Sequence, residues 1–217
     1  MLLADEVFLL SLDPRTRRPV SSGYRFEPTL GGAVLADLVA AGRIGTTPDS
    51  DGWGRRRRLV LHDPTPTGDP VLDVALETLT GRAGKPAKNA INTWTSWRIT
   101  KGLRERLGAG LVTAGVLALE DERVLGLFPW TTWRVLDPAP GDQVRGLLYA
   151  ALVVGTTPSE RTRALAALLW AGGLLGKVLR VEDRAAVRSR ARALAEGDPV
   201  AQAVKAAIAD AGAASAG

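Results

Sequence analysis

The stretch that most constrains this fold is residues 93–137, TWTSWRITKGLRERLGAGLVTAGVLALEDERVLGLFPWTTWRVLD. Ile99, Leu103, Leu107 and Leu111 recur every four residues, so they share one stripe of a helix. Arg98, Lys101 and Arg104 fall on the opposite arc, spread over roughly 120°. Gly108 and Gly110 weaken the middle, each by about 1 kcal/mol against Ala, so the helix breaks there or packs closely on a neighbour. Gly115 stands where a helix would end. Residues 116–119 and 123–128 then read as two strands around a polar turn, Glu120-Asp121-Glu122. The following Pro129-Trp130-Thr131-Thr132-Trp133 interrupts the ladder, because proline donates no hydrogen bond to it. A cationic helix face thus precedes an aromatic tip of Phe128, Trp130 and Trp133, a combination suited to an anionic surface; the other reading of Trp130 and Trp133 is burial in the core or at a dimer contact.

Composition narrows the function. The chain has 217 residues, enough for one well-buried core or two small domains. An apolar fraction of 46% with mean hydropathy of +0.04 is that of a soluble globular protein. With no cysteine and a single histidine, His62, a Cys/His zinc cluster, a thiol nucleophile and a disulfide are excluded. The net charge of +5 favours anionic partners. The N-terminus lacks a positive n-region, and no apolar run reaches the roughly 20 residues of a spanning helix. A cytoplasmic protein is expected.

Helices are expected over residues 2–12, 28–41 with Gly42 as the stop, and 70–80. Residues 43–46 and 57–61 pair as a hairpin across a loop rich in turn formers. The basic run Arg55–Arg58 at its end reads as an anion site or, the preferred reading, as a solvated strand edge. Trp94 and Trp97 lie on a short helix face and are expected in the core. The last third is helical: Thr157-Pro158-Ser159-Glu160 fits a capping box, Gly172-Gly173 ends that helix, and Asp198-Pro199 opens the last one, to about residue 211. One domain over residues 1–212 with a frayed tail at 213–217 follows.

Catalytic chemistry finds no constellation. His62 has no triad context and reads as a surface or packing residue. No phosphate-cradling glycine loop is present. Asp69 and Asp73, an i,i+4 pair, read as a helix N-cap and a first-turn acid. No cofactor or metal is expected.

The series LLADEVFLLSL, LGGAVLADLVAAGRI, PTGDPVLDVAL, KGLRERLGAGLVTAGVL and LFPWTTWRV, collinear over nearly the whole chain, resembles the Golgi phosphoprotein 3 family, including its bacterial members. The resemblance implies a mainly α-helical, compact multi-helix domain with one or two β-hairpins, one of them apolar and protruding. The eukaryotic relatives are peripheral membrane proteins that bind phosphatidylinositol 4-phosphate and retain glycosyltransferases. Of the family's headgroup positions, the two basic residues three apart match Lys101 and Arg104; the arginine and tryptophan positions fall at Gly31 and Ser22. The family's inserting hairpin, which also mediates oligomer contacts, corresponds to the segment of Leu125, Leu127, Phe128, Trp130 and Trp133.

The sequence therefore points to a non-catalytic, cytoplasmic, peripherally membrane-associated protein. Lys101, Arg104 and Arg98 would meet an anionic lipid headgroup, and Leu127, Phe128, Trp130 and Trp133 would insert. A membrane-associated client protein and self-association through the hairpin are implied partners; nucleic acid is not expected. The alternative is a winged-helix DNA-binding regulator, since helix, strand, charged turn and strand describe that unit too. Its acidic turn would repel the phosphate backbone.

Overall fold

The computed structural model describes residues 1–13, 25–47, 58–86, 89, 94, 102–124 and 128–214. Its central element is helix α2, Phe26–Ala40, which is apolar around most of its circumference and is accordingly buried along most of its length. Five helices surround it: α1 (Leu3–Ser11), α3 (Pro70–Thr80), α4 (Leu103–Thr113), α6 (Glu160–Ala171) and α9 (Pro199–Ala214). Between them run α5 (Ala139–Tyr149), the short α7 (Leu175–Val178) and α8 (Arg184–Ala195). The expected mainly helical fold is what forms, with two small antiparallel hairpins added to it.

Local chemistry sets the helix ends where side chains can reach orphaned backbone groups. Asp69 caps α3 by accepting from the Val71 and Leu72 amides at 2.8 and 3.1 Å, and Asp73 accepts from the Thr67 amide and hydroxyl. Both acids are structural, as the sequence suggested. Asp198 caps α9 in the same way through Val200 and Ala201. That helix runs to Ala214, so only residues 215–217 of the expected tail remain, and they lie outside the described residues. For α6 the cap is Ser159, accepting from the Thr162 amide, two residues later than a box begun at Thr157. Gly115, at φ +74°, closes α4: the Gly115 amide donates to Val112 and the Val116 amide to Leu111, the paired bonds of a Schellman end.

The first hairpin, β1 (Ile44–Thr46) with β2 (Leu59–Leu61), pairs as expected, Ile44 opposite Leu61. The second overturns the expected register. Strand β3, Leu117–Val124, runs straight through Glu120-Asp121-Glu122, and β4, Phe128–Val135, contains Pro129 rather than ending before it. Leu117 faces Val135 and Val124 faces Phe128; residues 125–127 lie outside the described residues. The physical reason is that a two-stranded ribbon has two open edges. Acids are at ease in it, and a proline opposite Arg123 in a non-hydrogen-bonded pair removes no ladder bond. Glu120 is in addition paired across the ribbon with Arg134, at 2.6 Å.

After α5 the chain makes one π-helical turn, Ala150–Val154. Such a turn leaves carbonyls without their usual partners. Arg190 of α8 supplies them: one guanidinium nitrogen donates to the Leu152 and Val153 carbonyls at 2.9 and 2.6 Å. Among the described residues no helix is long and apolar enough to cross a membrane.

Candidate functional site

The predicted cationic arc begins at the opening of α4. Arg98 and Lys101 lie outside the described residues, as do Ser22 and Leu127. Arg104 is in the first turn of α4, with its guanidinium carbon 5.7 Å from the ring centroid of Trp133. One of its terminal nitrogens pairs with Glu105 at 3.1 Å. Its Nε is buried and has no hydrogen-bond partner among the described residues.

Trp133 corrects an expectation. It does not project from the hairpin: it is 4% exposed and sits near the hairpin's root, in the core. Phe8 of α1 meets it edge-on, with centroids 5.2 Å apart and planes at 85°. A Cβ on Gly108 would come within 2.5 Å of the indole nitrogen, so the mid-helix glycine is where α4 lets the indole lie against its backbone. Trp133 is therefore a packing residue and cannot be part of an inserting tip. Phe128 and Trp130 stand further out along β4, towards the turn.

Gly31, which the resemblance sets at the family's arginine position, is buried in α2, and its carbonyl accepts the Trp94 indole N–H at 2.9 Å. Trp94 is in the core, as expected. The position serves packing here.

No local sequence signal marks the residue that completes this corner. Glu27, in the first turn of α2, is 9% exposed, and its Oε2 is buried without a hydrogen-bond partner among the described residues. Burial pushes its carboxyl up to about 7, against a downward pull from Arg104 and a smaller upward push from Glu105. An acid in the first turn of a helix is ordinarily an exposed complement to the helix dipole, so nothing in the sequence separates Glu27 from that common case.

At the other end of α2 is a cleft of about 530 Å³, lined by Leu3, Asp37, Val39, Arg161, Leu194 and Asp198 among others. Its buried carboxylate is already engaged. Asp37 accepts from the Leu3 and Ala4 amides, and Arg161 bridges it to Glu6. Among the described residues no group of His, Asp or Glu could hold a metal ion.

The family described as Golgi phosphoprotein 3 (GPP34) matches residues 3–211. The chain belongs to that family. It is also 29% identical, over 167 residues, to the vacuolar protein sorting-associated protein 74 of Eremothecium gossypii. That match covers 70% of this chain and 49% of the fungal protein, so the chain spans about half the length of the curated relative. This Golgi phosphoprotein 3 family member carries Lys101 and Arg104 in its KGLRERL segment, and Ser22 and Gly31 earlier in the chain.

Proposed function

We propose that this protein is a non-catalytic peripheral membrane protein that takes an anionic lipid headgroup at the opening of α4 and lays the far end of the β3–β4 hairpin into the leaflet. Arg104, with Lys101 and Arg98 in the preceding stretch, meets the phosphate, since a guanidinium pairs with phosphate oxygens in a fork. Leu127, Phe128 and Trp130 form the inserting end, Trp being the side chain that favours the membrane–water boundary. The observation that carries the reading is the contact of Arg104 with Trp133, which sets the cationic end of α4 against the root of the hairpin. Each basic side chain near an anionic leaflet contributes about 1 kcal/mol, so attachment by these groups is reversible. A cytoplasmic location, a membrane-associated client and self-association through the hairpin belong to the same reading.

Sedimentation with phosphatidylcholine vesicles, with and without anionic lipid, tests it. The expected result is binding to the anionic vesicles only, weakened by Lys101→Glu and by Trp130→Ala without loss of thermal stability. A salt-sensitive shift of duplex DNA with no vesicle binding would overturn it.

A further inference from the structure

The opening of α4 carries a charge imbalance that an anion site does not need. Among the described residues, two carboxylates, Glu27 and Glu105, act around one guanidinium, Arg104. Glu105 is exposed and borders the rim. Glu27 is different in kind: it comes from another helix, is nine-tenths buried, and keeps an oxygen with no hydrogen-bond partner among the described residues. Arg104 answers it with a buried Nε that is equally without one among them. A buried carboxylate and a part-exposed guanidinium with a buried Nε act on each other here without a hydrogen bond between their orphaned atoms. A pair kept only for stability would be expected to close that bond, because a buried unsatisfied polar atom costs roughly 1–3 kcal/mol. Orphaned groups of this kind suit a site that something else completes.

We propose that Glu27 gates the phosphate site, resting on the lipid-binding reading above: ionised, it cancels the Arg104 charge, and protonated, it releases that charge for the headgroup, so binding strengthens with acidity. Glu27 does not touch the lipid. It acts through the field at Arg104, in surroundings where burial strengthens electrostatic effects. The other groups around it cannot substitute. Besides Arg104 and Glu105 from α4, no described charged group acts on it, and what α1 and β4 bring to this corner is aromatic: Phe8 packs on Phe26 and on Trp133. The carboxyl stands at about 7, so its ionisation straddles neutrality. Reciprocity then requires that headgroup binding draw a proton onto the protein.

The test is sedimentation with phosphatidylcholine vesicles containing phosphatidylglycerol, whose phosphodiester keeps its charge across the range used. The wild-type protein is expected to bind about tenfold more tightly near pH 6 than near pH 8, the most that one linked proton allows per pH unit being tenfold. Glu27→Gln, which keeps the shape and removes the ionisation, should bind at both pH values as the wild type does at the lower one. His62→Gln, at the only histidine, should leave the wild-type pH profile unchanged. Wild-type binding that is flat with pH, or a pH dependence that survives in Glu27→Gln, overturns the gate while leaving lipid binding standing. No vesicle binding by either protein at either pH overturns the lipid reading and the gate together. As a second measurement, the side-chain carboxyl carbon of Glu27 in the wild type should titrate near neutrality by NMR; titration in the ordinary range for Glu overturns the gate without any variant.

Discussion

The two ends of helix α2 bury a carboxylate each, and they treat it in opposite ways. Asp37, near the C-terminal end, is 8% exposed and is met by two backbone amides and Arg161. It serves as a cap for α1 from a different part of the chain, taking up two of the amides that open that helix. Glu27, ten residues earlier and so about 15 Å away along the axis, has an oxygen with no hydrogen-bond partner among the described residues. Burial pushes both carboxyls up. At Asp37 the amide donors and Arg161 pull back, whereas at Glu27 Arg104 pulls without a hydrogen bond through its buried Nε. Burial outweighs its offsets at both ends, and at Asp37 two amide donors reduce the cost.

The largest effect should come from breaking the satisfied end. Asp37→Ala leaves the Leu3 and Ala4 amides bare and takes from the part-exposed Arg161 one of its two carboxylates; a loss of about 2–3 kcal/mol in urea unfolding is expected, a buried unsatisfied donor costing roughly 1–3 kcal/mol. A loss below about 1 kcal/mol would remove the contrast between the two ends. Next comes the packing above the unsatisfied end. Gly108→Ala gains helix propensity but drives a methyl group into a rigid indole held by Phe8, and a net loss of about 1–2 kcal/mol is expected. A rise in Tm would mean that Trp133 is not seated against α4.

The smallest change sharpens the comparison through pH. Glu27 binds its proton more tightly folded, at about 7, than its ordinary 4.5. Between those values the folded state holds more protons than the unfolded one, so this group's contribution to stability is full below about 4.5 and declines as pH rises through 7. The slope from this group is at most about 1.4 kcal/mol per pH unit. Asp5, raised to about 6 by burial, contributes a decline of the same sign over a lower window. Urea midpoints measured across this range should fall with pH, and Glu27→Gln should flatten the upper part of that fall, leaving the Asp5 part in place. A wild-type curve with no fall approaching pH 7 would contradict the buried setting assigned to Glu27.

Much of the helical frame was legible because its signals are local. Asp69 and Asp198 sit within three residues of the amides they cap, and Gly115 closes α4 through atoms of its own turn. Of the expected cationic arc only Arg104 falls among the described residues, in the first turn of α4. The second hairpin was not legible, because Glu120-Asp121-Glu122 and Pro129 carry the composition of a turn and a strand end, and a thin ribbon with open edges tolerates both. Trp133 was misplaced for want of long-range information: what buries it is Phe8, far back in the chain, and the absence of a side chain at Gly108. Glu27 was missed because its meaning depends on which helix lies over it.

The link between Arg190 and the turn Ala150–Val154 bears on how this half of the molecule comes apart. Helix α8 cannot lift away without stripping two carbonyls of their donor, so its detachment and the loosening of that turn form one event. Amide hydrogens at the foot of α5 should therefore exchange with solvent in step with those of α8, although the two stretches are separated in sequence by the whole of α6.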